Sequence, residues 1–222
     1  MAMNGLTTGQ EETLRRYGEL LASYRGRVRL TGPQEEGALW EDHILDCAAS
    51  VPHLPPSGRI VDVGSGGGLP GLVWAILRPD LDVTLLDSVR KKCDALSEMA
   101  DVLKLRNVRV VWSRCEDYAR GERESFDLAG ARALAQAGVL TELLAPLVRV
   151  EGRLLAFKGP LHGEETAPVV GRWGDLGLSA PAVMAYHGDG DGRVLLLWTK
   201  EAPCPGRFPR RAGVAEKTHW WR

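Results

Sequence analysis

The chain has 222 residues, with 28 Lys and Arg against 29 Asp and Glu, a net charge of -1 at pH 7. Hydrophobic residues make up 44% and charged residues 26%, the balance of a soluble globular protein, which excludes disordered and fibrous architectures. A near-zero charge also excludes a global positive field for gathering nucleic acid, so a nucleic-acid partner requires local basic patches.

No apolar run reaches the roughly 18–20 residues of a membrane span, and a cytoplasmic, monomeric protein is expected. The four cysteines (Cys47, Cys93, Cys115, Cys204) form no C-x-x-C pair, so neither a metal site nor a disulfide framework is expected.

From Glu11 to Tyr24, the spacing of Leu14, Tyr17, Leu20, Leu21 and Tyr24 predicts an amphipathic helix. A second helix is expected from Gly37 to Val51, ended by Pro52, Pro55 and Pro56. Residues 1–56 thus read as a helical appendage. Beyond them, short apolar runs at Arg59–Val63, Asp82–Asp87, Val108–Trp112, Phe126–Ala129 and Gly152–Lys158 read as strands, with helices starting near Leu69, Val89 and Leu134.

This alternation predicts a doubly wound, mostly parallel α/β sheet over residues 57–202. Leu178–His187 and Arg193–Lys200 flank a glycine-aspartate turn at 188–192 and read as an antiparallel hairpin closing that sheet. Such a sheet looks like the class I methyltransferase fold. Residues 203–222 read as a basic, proline-containing tail.

The strongest local signal is the run Ile60-Val61-Asp62-Val63-Gly64-Ser65-Gly66-Gly67-Gly68-Leu69-Pro70-Gly71, an apolar strand ending in glycines before a helix. Glycines let main chain turn tightly under a ligand and leave amides free to meet it. Asp87 ends the next strand, where a carboxylate accepts hydrogen bonds from ribose hydroxyls. Together they imply an adenosine-containing ligand.

A dinucleotide remains an alternative, because Gly66, Gly68 and Gly71 satisfy G-x-G-x-x-G in a shifted frame. Counted from the strand end at Gly64, however, Leu69 occupies the third glycine position. S-adenosylmethionine is therefore favoured, with Asp62 expected beside its amino acid portion. Glu116 and the backbone at Cys115 are candidates for the adenine, and Arg132 lies where cofactor and substrate meet.

These segments, with Leu85-Leu86-Asp87-Ser88, Arg90-Lys91-Lys92, Arg114-Cys115-Glu116, Ala131-Arg132-Ala133 and Leu155-Ala156-Phe157-Lys158-Gly159, resemble the RsmG (GidB) family of bacterial 16S ribosomal RNA guanine-N7 methyltransferases. The likeness extends to His43-Ile44-Leu45-Asp46 and to Phe208-Pro209-Arg210-Arg211-Ala212-Gly213.

The resemblance implies that Gly64, Leu69, Asp87, Ser88, Cys115, Glu116 and Arg132 contact S-adenosylmethionine. It makes 16S ribosomal RNA or the small ribosomal subunit the expected partner, and Arg132 and Lys158 are the candidate catalytic residues. Leu69 replaces the family's commoner phenylalanine, Cys47 stands where serine is common, and Arg25 and Arg29 depart from the usual N-terminal pattern.

Guanine N7 carries a lone pair and no proton, so its methylation requires positioning more than a base. Gly130-Ala131-Arg132-Ala133 lacks the Asn/Asp-Pro-Pro-Tyr pattern of amino-group methylation. Pro203-Cys204, the sole Pro-Cys pair, lies too late for a cytosine C5 nucleophile. Expected phosphate contacts are the clusters Arg25, Arg27 and Arg29; Arg90, Lys91 and Lys92; and Arg207, Arg210, Arg211 and Lys217. Alternatives are methylation of another RNA or a small molecule, or a non-catalytic module that senses adenosine nucleotides.

Overall fold

A computed structural model describes residues 6–30, 39–186 and 192–222. Helix α1 (Thr8–Ser23) begins at a capping box, in which Thr7 Oγ1 accepts from the Gln10 amide and Gln10 Oε1 accepts from the Thr7 amide. It buries Leu14, Tyr17 and Leu21, each contributing about 1.5–3 kcal/mol by leaving water.

The predicted second helix is a π-helical turn (Trp40–Leu45) running into α2 (Asp46–Ala48). Its expected first residues, 37–38, lie outside the described residues.

Strands β1 (Gly58–Val63), β2 (Leu81–Asp87), β3 (Val108–Trp112), β4 (Phe126–Arg132) and β5 (Val148–Lys158) are parallel. Strands β6 (Ala182–Ala185) and β7 (Val194–Thr199) form the hairpin. The sheet runs β3-β2-β1-β4-β5-β7-β6, with β7 antiparallel to both neighbours, as the sequence pattern leads one to expect.

The first arm of the hairpin is shorter than predicted, with Leu178 making a single bridge to Lys200. Pro181, just before β6, has no N–H to give a ladder. Of the predicted turn at 188–192, residues 188–191 lie outside the described residues, as does 187 at the end of the first arm.

Helices α3 (Gly71–Leu77), α4 (Arg90–Val102), α5 (Cys115–Gly121), α6 (Ala137–Leu144), α7 (His162–Thr166) and α8 (Val214–Lys217) complete the fold. One face of the sheet packs a core of Leu14, Tyr17, Leu72, Trp74 and Leu96, so α1 shares its core with α3 and α4. Mid-strand Gly130 makes room for the Trp74 ring, which would lie 2.4 Å from a Cβ there.

The other face packs α5 and α6 together with Cys204, Phe208, Ala215 and Trp221. The final segment, expected as a basic, proline-containing tail, is therefore packed against this face. Arg123 donates to the carbonyls of Cys204, Pro205 and Phe208, and Arg210 pairs with buried Glu142 at 2.6 Å. That pairing gives Arg210 an internal partner, whatever else its guanidinium meets.

The order of strands reverses between β1 and β4, and the crevice at such a switch point lies beyond the carboxyl ends of the strands. Gly64 follows β1 and Arg132 ends β4, so the topology brings the two to one edge.

Candidate active site

After β1 the chain turns through positive φ at Gly64 (74°), Gly66 (56°) and Gly68 (93°), a conformation glycine adopts without steric cost. The Gly64 and Ser65 amides both donate to the Leu86 carbonyl, at 2.8 and 3.1 Å, which draws the loop across the end of β2. There Asp87 Oδ2 accepts from the Gly66 amide at 2.9 Å and Oδ1 from the Val89 amide at 2.9 Å. Each oxygen keeps a second lone pair for a hydroxyl.

The loop is also held from behind. The buried Tyr17 hydroxyl donates to the Gly67 carbonyl at 2.8 Å, and a Cβ at Gly67 would come within 2.8 Å of Leu21 Cδ1. Asp62 lies beneath the loop, fully buried, with Oδ2 accepting from the Gly71 amide at 3.0 Å and Oδ1 unpartnered. Burial pushes its pKa up to about 7. Asp62 thus braces the first turn of α3 from beneath the loop, with no exposed surface of its own.

Above the loop is a cavity of about 480 Å³ lined by Leu30, His43, Gly64, Leu69, Lys92 and Arg132, among others. Burial, and then the nearby Arg132 guanidinium, holds the His43 pKa below its ordinary value. Of the sequence-predicted cofactor residues, Gly64, Leu69 and Arg132 line this cavity, and Asp87 reaches it through the Gly66 amide.

Ser88, Cys115 and Glu116 lie outside its lining. Exposed Ser88 accepts a hydrogen bond from Trp112 Nε1 at its carbonyl, 3.1 Å away. Cys115 Sγ donates to the Leu143 carbonyl at 3.4 Å, and burial pushes its thiol pKa up, so it packs instead of reacting. Glu116 Oε1 accepts from the Gly213 amide at 3.2 Å, which ties it to the final segment.

A second cavity, of about 460 Å³, shares Arg132 and Ala133 with the first. Arg132 Nη2 lies 3.1 Å from Asp46 Oδ2 and donates to the Asp42 carbonyl at 2.8 Å. Asp46, 2% exposed, also accepts from the Tyr186 hydroxyl at 2.9 Å and from Arg193 Nη1 at 3.2 Å. Lys158 Nζ donates to the Ala135 carbonyl and to Glu165 Oε2, both at 2.6 Å. Both candidate catalytic residues therefore line this cavity.

Sequence reasoning missed Tyr186, Arg193 and Glu165 as cavity residues and assigned Asp46 no role, although it stood in a quoted motif. A polar residue facing buried partners from another element leaves no local spacing to find. Among the described residues no group of three His, Cys, Asp or Glu is placed to hold a metal, and no helix is long and apolar enough to cross a membrane. On the outer rim Arg90 lies over the Trp112 ring, 5.1 Å from its centroid, and Trp112 is 57% exposed.

This strand order, with a glycine cradle after β1 and an acid closing β2, defines a class I S-adenosylmethionine-dependent methyltransferase. Its fold is shared with the YcgJ protein from Bacillus subtilis, at TM-score 0.53 and 14% identity over 72% of this chain and 100% of that one. A mutant of MtNAS in complex with S-adenosylmethionine shares it too, at TM-score 0.54 and 16% identity over 87% and 72%.

Residues 10–173 match the GidB family model, described as rRNA small subunit methyltransferase G, and the chain belongs to that family. Relatives named ribosomal RNA small subunit methyltransferase G include one from Symbiobacterium thermophilum, 40% identical over 90% of this chain and 86% of that protein. Another, from Moorella thermoacetica, is 36% identical over 96% and 92%.

Proposed function

We propose that this chain transfers a methyl group from S-adenosylmethionine to N7 of a guanine in 16S ribosomal RNA, acting as a cytoplasmic monomer on the RNA or the small ribosomal subunit. The observation that carries this reading is the meeting of two cavities at Arg132 and Ala133, one floored by main chain and the other walled by charged side chains.

The residues present suit the cofactor. Gly64, Leu69 and Arg132 would enclose it and Asp87 has lone pairs for its ribose, while Ser88, Cys115 and Glu116, outside that cavity, are further contacts implied by the family resemblance. When bound it supplies an electrophilic methyl on a sulfonium. The chain's own task is then to hold an acceptor in line, because N7 has no proton to remove. Arg132, anchored by Asp46, and Lys158, anchored by Glu165, are the cationic groups that position the RNA at the meeting point. In this reading residues 57–202 carry the chemistry, 1–56 lend Leu30, His43 and Asp46 to the two cavities, and 203–222 pack against α5 and α6.

The test is methyl transfer from labelled cofactor to purified small subunits, naked 16S RNA, protein and small-molecule pools, followed by chemical cleavage at N7-methylguanosine. Label at a single guanine N7 is expected. Label on another RNA atom, on protein or on a small molecule overturns the reading.

A further inference from the structure

Arg132 and Ala133 are common to both cavities, so the methyl donor's side of the acceptor cavity is fixed. Lys158 and Glu165 line the acceptor cavity but not the cofactor cavity. A guanine that turns N7 toward Arg132 and Ala133 presents its opposite edge, with the N1–H and 2-amino donors, away from the cofactor.

Of the two carboxylates in the acceptor cavity's lining, Asp46 is engaged by Arg132, Tyr186 and Arg193, and Glu165 is the one placed to receive those donors. Its Oε2 accepts from Lys158 Nζ at 2.6 Å and from the Ala137 amide at 2.9 Å, so both a side chain and the start of α6 fix the carboxylate. Among the described residues Oε1 has no partner, and the side chain is 24% exposed. A carboxylate offers acceptors only, which matches two N–H donors and opposes the N1 lone pair of adenine.

We propose, resting on the guanine-N7 reading above, that Glu165 is the specificity-determining residue that reads the N1–H and 2-amino edge of the acceptor guanine. Lys158 is then in part a positioning residue for that carboxylate. The chemistry selects guanine over adenine, whose N7 is also a nucleophile, by rejecting the wrong opposite edge.

Inosine provides the test, because it keeps N7 and N1–H and lacks only the 2-amino group. The methylated position is mapped with the wild-type chain, and small subunits are rebuilt from 16S RNA ligated to carry guanosine or inosine there. The wild type is expected to prefer guanosine by about tenfold or more in kcat/KM. Glu165→Gln and Glu165→Ala are expected to bring that ratio within about twofold of unity, with cofactor affinity unchanged.

Variants that keep the wild-type ratio, however slow they become, assign Glu165 a structural role and overturn the proposal. So does a wild type indifferent to inosine. A wild type that methylates neither substrate at N7 overturns the underlying reading together with this one.

Discussion

The two cavities are built from different materials. The cofactor cradle is main chain: Gly64, Gly66 and Gly68 in left-handed conformations, with a carboxylate whose oxygens both accept from backbone amides. The acceptor cavity is side chain, with Arg132 from β4, Asp46 from α2, Tyr186 and Arg193 from the ends of β6 and β7, and Lys158 and Glu165 from β5 and α7. A main-chain site requires contiguous residues and so appears as a motif. A side-chain site is assembled by the topology from residues as far apart as Asp46 and Arg193, 147 positions in sequence.

The largest test of this contrast concerns the support under the cradle. The Asp62 carboxyl is raised by burial from its ordinary 3.8 to about 7, so the folded protein holds that proton where the unfolded chain has released it. Stability is greatest below about pH 4 on this account and falls as pH rises toward 7, by up to about 4 kcal/mol. Asp62→Asn should lack that loss. Urea midpoints of the two proteins from pH 4 to 7.5 should diverge in the variant's favour as pH rises, and parallel curves would place no proton on Asp62.

Next in size, Lys158→Met should slow methyl transfer about 100-fold, about 2.7 kcal/mol, and leave cofactor affinity within about threefold. Single-turnover rates beside calorimetric titration of the cofactor would check it. A parallel fall in affinity would merge the two cavities into one site.

Asp87→Ala should do the reverse, weakening cofactor binding by roughly 1.5–3 kcal/mol while turnover at saturating cofactor survives. Unchanged calorimetric affinity would remove Asp87 from the cradle. The smallest effect is expected for Cys115→Ala, about 1 kcal/mol of stability from lost packing and under twofold in kcat/KM. A tenfold loss of cofactor affinity there would give the thiol itself a part that the backbone is assigned.

The same contrast explains what the residues disclosed in advance. Strands β1, β2 and β4 were readable because both faces are covered, which buries every residue of Ile60–Val63 and of Val83–Asp87. The glycine run disclosed the cradle, since no other residue type takes those angles freely. The partner of Asp62 was not legible, because a carboxylate beside a glycine loop reads alike whether it points up at a ligand or down into α3.

The hairpin's first arm was overestimated because edge strand β6 is exposed along its whole length and has little pattern to bound it. The final segment looked polar, yet one of its arginines is used internally. Arg210 takes Glu142, a pairing across 68 positions that no local window could contain.

The hydroxyl of Tyr17 beneath Gly67 means that the cradle is no self-sufficient cassette. Grafting Gly64–Gly71 with its flanking strands into another scaffold would import the curve of the loop without the keel on which it rests. Engineering of this chain should therefore treat its first helix and its ligand-facing glycines as a single inherited piece.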